Sequence, residues 1–455
     1  MRSILPQQVP LTPGFSSVSH GADLRAIDGI LDGHPQAASL VHRDLVGDDA
    51  SASERGRPGM SAEQVLRCLV VKILLDLTYD ELAYELDDSR SVRSFCRFGF
   101  ADALPKRSAL QRNIKRVRPE TFEAINRIVL DAARSAGIED GSKVRADCTV
   151  VASNIHHPTD SSLLADGVRK LGGLLRAARK MVGLSATSDR TVSAKRRALE
   201  IANARNDDDR RAPYVDLLRT ARLSVADGIE AAAALHKGPI RADGPLGPIQ
   251  AEAIATETEH YAALLRRVID QTERRVLRGE AVPAAEKIVS LFEVHTDIIV
   301  KDRRETQFGH KVLLTQGRSK LILDLVVLRG NPADATLVDD VLARHVAAFG
   351  GPPRQVSCDG GFASKDNLKT LKARGVHDAV FHKKRGLTED AMACSHRVFL
   401  KLVRFRAGIE AAISRLKRCF GFRRCLWRGF QSFVAFAWAS VLTCNLVTLG
   451  RLRPA

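Results

Sequence analysis

Residues Ser142–Ala152 read SKVRADCTVVA, and the periodicity of the chain changes there. Before this stretch apolar residues recur at helical spacing; within it Val144, Ala146, Cys148 and Val150 alternate with Arg145, Asp147, Thr149 and Val151. A period of two is that of a strand whose successive side chains point to opposite faces. Asp147 therefore lies on the more polar side of a strand.

Downstream, Leu163 to about Ala285 is helical in pattern, with breaks expected near Gly183, at Asn206–Pro213 and in the KGPIRADGPLGP loop from Lys237. Strand patterns return at Ile288–Val300, His310–Gln316 and Lys320–Leu328, with Gly317 and Arg318 making a short hairpin turn between the last two. Because strands lie on both sides of the helical stretch, it reads as an insertion into an α/β unit. A helix over Ala333–Phe349 precedes the apolar strand RQVSC. Asp359-Gly360-Gly361 then puts a second carboxylate just past the strand's end, where open α/β sheets keep their sites. A helix over Lys365–Arg374, a strand over Ala379–His382 and the basic turn KKRG follow.

The next segment, Phe405–Lys417, reads FRAGIEAAISRLK. At about 100° per residue, Arg406, Glu410 and Lys417 fall within roughly 40° of one another, apart from the apolar stripe of Ile409, Ile413, Leu416 and Phe420. Nine basic residues stand between Lys401 and Arg428, and Glu410 is the only acid among them. Taken alone, this is a solvated helix with i,i+4 ion pairs. A lone carboxylate in a basic run also suits a site that holds a cation beside phosphate.

Upstream, residues 1–58 are rich in Pro, Gly, Ser and Asp, and only Ala22–Leu31 looks helical. Ser61 with Gln64 forms a capping-box pattern ahead of an apolar helix, and a second helix is expected over Thr78–Leu86. Ser108 is placed to cap a basic helix carrying Arg112, Lys115 and Arg116, the arrangement of a helix-turn-helix-like DNA reader or, in the plainer reading, of an oligomerisation module. Pro119 opens another helix that Gly137 closes.

Composition narrows the class. The 455 residues carry 70 Lys and Arg against 53 Asp and Glu, a net charge of +17, which favours a polyanionic partner, most often nucleic acid. The eight cysteines include no CxxC pair and no zinc spacing, as expected of reduced core residues in the cytosol. Phe430–Leu449 is long enough to span a bilayer, but Gln431, Ser432, Ser440, Thr443 and Asn445 interrupt it, so a buried helix is expected and no membrane partner. The start has prolines where a signal peptide needs an apolar run.

Two aspartates and a glutamate brought together hold hard divalent cations, and two such ions serve phosphodiester chemistry. The order of elements from Ser142, with RADCTVVASNIHHPTDSSLLADGVR, FEVHTDIIVKDRRETQFGHKV, CDGGFASKDN and FRAGIEAAISRLKR, resembles the RNase H-like domain of DDE transposases from bacterial insertion sequences. Many of these carry a Y-R-E-K signature on the glutamate helix, with two, three and six residues between its members. Arg406, Glu410 and Lys417 fit that spacing, and Val403 stands at the tyrosine position.

The resemblance implies an α/β fold: an RNase H-like mixed sheet flanked by helices (139–162 and 286–455), a helical N-terminal DNA-binding domain (59–138), a helical insertion (163–285) and a poorly structured start (1–58). It implies that Asp147, Asp359 and Glu410 hold two Mg2+ (or Mn2+) ions, that water cuts at the element's end, and that the freed 3′-hydroxyl attacks target DNA. Arg406, Lys417, Arg415, Arg418, Arg112, Lys115 and Arg116 are the expected DNA contacts. The partners are double-stranded DNA (terminal inverted repeats and target) and further copies of the chain in a dimer or higher oligomer, in the cytoplasm at the nucleoid. An inactive DNA-binding descendant and a stand-alone nuclease are the competing readings. For Phe420, Phe422, Trp427 and Phe430 core packing is favoured over base stacking, and His156, His157 and His310 are weaker candidates.

Overall fold

The computed structural model describes residues 3–5, 15, 20–47, 59–99, 101–183, 188–237, 247–301, 305–383 and 385–452. The chain forms two compact units, Met1–Asn154 with Gly309–Ala455, and Ile155–Phe308. Its mixed sheet contains β1 (Lys143–Ala152), β2 (Asp297–Lys301), β3 (Glu305–Gln316), β4 (Ile322–Val327), β5 (Gln355–Cys358) and β6 (Asp378–Phe381). The order is β2-β3-β1-β5-β6, with β4 also paired to β3. β3 runs antiparallel to β1, whereas β5 is parallel to β1 and β6 parallel to β5.

The first unit opens with α1 (Gly21–Asp32), α2 (Gln36–Val46), α3 (Ala62–Leu74), α4 (Tyr79–Asp88), α5 (Arg90–Phe95), α6 (Arg107–Ile114) and α7 (Pro119–Ser135). The expected capping box of α3 is present: the Ser61 N–H donates to Gln64 Oε1 at 2.9 Å, and the Gln64 N–H to Ser61 Oγ at 3.2 Å. The second unit holds α8 (Asp160–Met181), α9 (Thr191–Asn203), α10 (Asp207–Lys237) and α11 (Gly247–Thr272). After the sheet's central strands come α12 (Val338–Phe349), α13 (Lys365–Ala373), α14 (Glu389–Met392), α15 (His396–Cys419) and α16 (Phe430–Leu452).

α16 is the apolar segment that is long enough to cross a membrane, and 89% of its most apolar window is buried. It shares one core with α1–α7 and with Leu314, Ile322 and Leu325 of the sheet. Asn445, fully buried, accepts from the Ile322 N–H at 2.9 Å and donates to Ile322 O at 2.7 Å and Asn126 Oδ1 at 2.8 Å. An amide with those bonds is bound into a protein core, where buried polar groups are paired.

Several local expectations change. α2 forms in the Pro- and Gly-rich start, burying Ala37, Ala38, Val41 and Leu45. Ser108 lies inside α6; Lys106 occupies the N-cap and its side chain makes no capping bond. Strand structure begins at Asp297, not Ile288, because Gln271 takes both backbone groups of Ile288 (2.9 and 3.2 Å) and holds that segment to the helices. The helix α10 runs through Pro213: Asn206 Oδ1 accepts the Asp209 N–H at 2.8 Å, and Asp207, Asp208 and Asp209 fill the positive first turn. The turn between β3 and β4 extends to Lys320, which has φ +72°. The break expected at the KGPIRADGPLGP loop and parts of residues 1–58 lie outside the described residues.

Candidate active site

Register places the first two carboxylates side by side. Ala146 of β1 pairs with Cys358 of the parallel strand β5, so the next residue of each, Asp147 and Asp359, stand together where β5 ends. Helix α15 packs on this face of the sheet. Ser395 caps it, accepting the Val398 N–H at 3.3 Å, and Ser357 of β5 donates its hydroxyl to Leu402 O at 2.8 Å. Arg145 fixes the next turn: its guanidinium donates to Phe405 O at 2.5 Å and to Gln316 Oε1 at 2.8 Å, and lies 4.4 Å from the Phe405 ring centroid. A Cβ on Gly408 would fall inside that guanidinium, so glycine is what lets the helix settle on the sheet. Burial draws the Arg145 pKa down to about 10.

Glu410 then comes round to the two aspartates, and Arg406 joins all three. Arg406 Nη2 lies 3.1 Å from Asp147 Oδ2 and 3.2 Å from Asp359 Oδ1, and Nη1 lies 2.6 Å from Glu410 Oε1. The side chains grade outward, from 12% exposed at Asp147 through 36% at Asp359 to 62% at Glu410. Asp147 Oδ1 accepts the N–H of Cys148 at 2.8 Å. The glycine pair after Asp359 is required by close approach, since a Cβ on Gly360 would lie 2.6 Å from Lys383 Cβ, and one on Gly361 would strike Asp334.

The other expected residues separate by position. Arg406 is largely buried and spends its guanidinium on the carboxylates. Arg415 turns inward, donating to Thr448 Oγ1 at 2.8 Å beneath the Phe420 ring. Lys417 is half-buried, and Arg418 is exposed. On α6 Arg112 is exposed; Lys115 is the C-cap, and Arg116 reaches Leu45 O at 3.4 Å. Phe420, Phe422 and Trp427 are buried in the core. His310 is fully buried, edge-on to Phe433 at 4.7 Å, while His156 meets Ser162 and Asp166, and His157 packs edge-on to Phe308.

Sequence reading missed Arg145, Ser357 and Gly408, which set the height of the glutamate helix. A glycine in mid-helix was their one visible signal. It also missed Asp378, buried at the start of β6, which accepts from Gln355 Nε2 and the Cys394 N–H at 2.9 Å each and fixes the turn into α15.

A family model for the transposase DDE domain matches residues 300–446, and one described as Transposase domain (DUF772) matches residues 15–116. The chain belongs to the DDE-type insertion-sequence transposases. The first match contains Asp359 and Glu410 and begins after Asp147; the second covers α1 to α6. The mixed sheet with its flanking helices and helical N-terminal region is consistent with the RNase H-like domain of these transposases. The protein is thus a transposase acting on DNA, from a family that works with divalent metal ions. No curated protein and no solved structure matches the chain.

Proposed function

We propose that this transposase cuts DNA at the ends of its insertion sequence and joins the freed 3′-hydroxyl to target DNA, with Asp147, Asp359 and Glu410 as the ligands of two Mg2+ or Mn2+ ions. The observation that carries the reading is the convergence of the three carboxylates on the Arg406 guanidinium, a cation standing where metal charge is needed. Their oxygens suit hard divalent ions. Burial pushes the neighbouring Cys148 and Cys358 thiols up, the latter to about 12. When bound, the ions activate the attacking oxygen and stabilise the leaving oxygen of an in-line displacement.

The chain's own residues do the positioning. Adjacent strands fix the spacing of Asp147 and Asp359, and α15 brings Glu410 from the open side. Lys417 and Arg418, on the helix that carries Glu410, and the exposed Arg423, Arg424 and Arg428 after it offer cations to DNA phosphates, which fix register without reading sequence. Arg112, Lys115 and Arg116 serve the terminal repeats, and a homodimer or higher oligomer holds the two ends. The purified protein with Mg2+ is expected to cut DNA bearing its own terminal inverted repeats and leave a free 3′-hydroxyl. Asp147→Asn, Asp359→Asn and Glu410→Gln are each expected to reduce cutting to background, and retained cleavage in any one removes that residue from the site.

A further inference from the structure

One guanidinium answers three anions here, and a divalent ion entering among the same oxygens meets a positive charge held at hydrogen-bonding range. The arrangement also leaves the guanidinium incompletely used: Arg406 is 9% exposed, and its Nε is buried with no acceptor. An unpaired buried donor is costly. The planar fork of an arginine is suited to gripping a phosphate through two parallel bonds, better than to bridging scattered carboxylates. Arg406 and Glu410 lie one turn apart on the same helix, and Glu410 is the most exposed of the three acids, so the cluster opens to solvent on the Nη1 side of the guanidinium.

We infer that Arg406 is an exchangeable counter-ion for the carboxylate site. Without DNA it lies on Asp147, Asp359 and Glu410 and weakens divalent-ion binding. A backbone phosphate of bound DNA draws it away, so the ions load when DNA is in place, and the idle enzyme is a poor nuclease. This rests on the proposed metal role of the carboxylates and adds to it a coupling between the two ligands.

The test is Mn2+ binding to the full-length protein, followed by the electron paramagnetic resonance signal of free Mn2+. Wild type, Arg406→Gln and the double variant Arg406→Gln with Asp147→Asn are compared, each alone and with a duplex carrying the DNA that flanks the gene. Arg406→Gln alone is expected to bind Mn2+ roughly 10-fold more tightly than wild type, the scale of an ordinary coupling. The duplex is expected to tighten binding by wild type and not by Arg406→Gln. Equal affinities of wild type and Arg406→Gln, or a duplex without effect on wild type, overturn the exchange while a weakened double variant leaves the metal site standing. A double variant as tight as Arg406→Gln overturns the metal reading itself. Should Arg406→Gln fail to fold, Arg406→Lys keeps the charge but cannot bridge three acids, and equality of its affinity with wild type overturns the exchange.

Discussion

Arg67 and Arg406 each hold three carboxylates, in different parts of the same compact unit. Arg67, fully buried in α3, meets Asp28 at 2.5 Å, Asp32 at 2.6 Å and Glu63 at 2.8 Å. It also donates to Phe95 O at 3.2 Å. A second cation, Arg97, reaches the same three acids at 3.0, 2.7 and 3.3 Å. At Arg406 no second arginine shares the load among the described ion pairs, Nε has no acceptor, and the acids open progressively to solvent. Two cations for three anions with every guanidinium edge used is a fold-holding cluster. Among the described ion pairs one cation meets three anions on a side open to solvent, the setting of a site that accepts more positive charge.

The largest way to break the comparison is stability. Removing one partner of a buried ion cluster leaves charge uncompensated, so Arg67→Met is expected to cost about 3–5 kcal/mol, read as a fall in the urea midpoint at constant m. Arg406→Met leaves carboxylates that open toward solvent from Asp147 to Glu410, and is expected to cost less, about 1–3 kcal/mol, with millimolar Mg2+ offsetting the loss. Equal losses would mean that both clusters serve the fold. Next comes geometry: Gly408→Ala pushes α15 off Arg145, and a displacement near 1 Å is expected to cost about 100-fold in end cleavage, with helix content unchanged by circular dichroism. Undiminished cleavage would show that the glutamate helix tolerates movement.

The smallest expected effect is a pH slope in the closed cluster. Burial outweighs Arg67 and Arg97 and raises the Asp28 carboxyl above its ordinary range. With the folded value above the unfolded value of about 3.9, the group's contribution is fully present below that pH. It is lost as pH rises through the folded value. Asp28→Asn is therefore expected to gain on wild type as urea midpoints are compared from about pH 3.5 to pH 6. A parallel pair of curves would place Asp28 as an ordinary solvated acid.

The chain's local signals made much of this legible. Alternation at Ser142–Ala152 identified β1, the Asp-Gly-Gly step identified the end of β5, and the Ser61–Gln64 pair marked a helix start that the structure retains. What failed was what depends on partners remote in sequence. Nothing local in AEQVLRCLVV signals that Asp28, Asp32 and Glu63 surround Arg67. Ile288 belongs to an apolar run that suits a strand, but the Gln271 side chain takes its backbone bonds. That the Arg406 guanidinium lies across all three carboxylates depends on the β1–β5 register, which no local pattern encodes.

The most direct measurement on the central claim is anomalous diffraction from crystals of the transposase with its end DNA and Mn2+. Anomalous peaks are expected within coordination range of Asp147, Asp359 and Glu410 oxygens, beside the scissile phosphate. Mn2+-dependent cleavage by the same preparation, with no peak on these three carboxylates, would contradict the account.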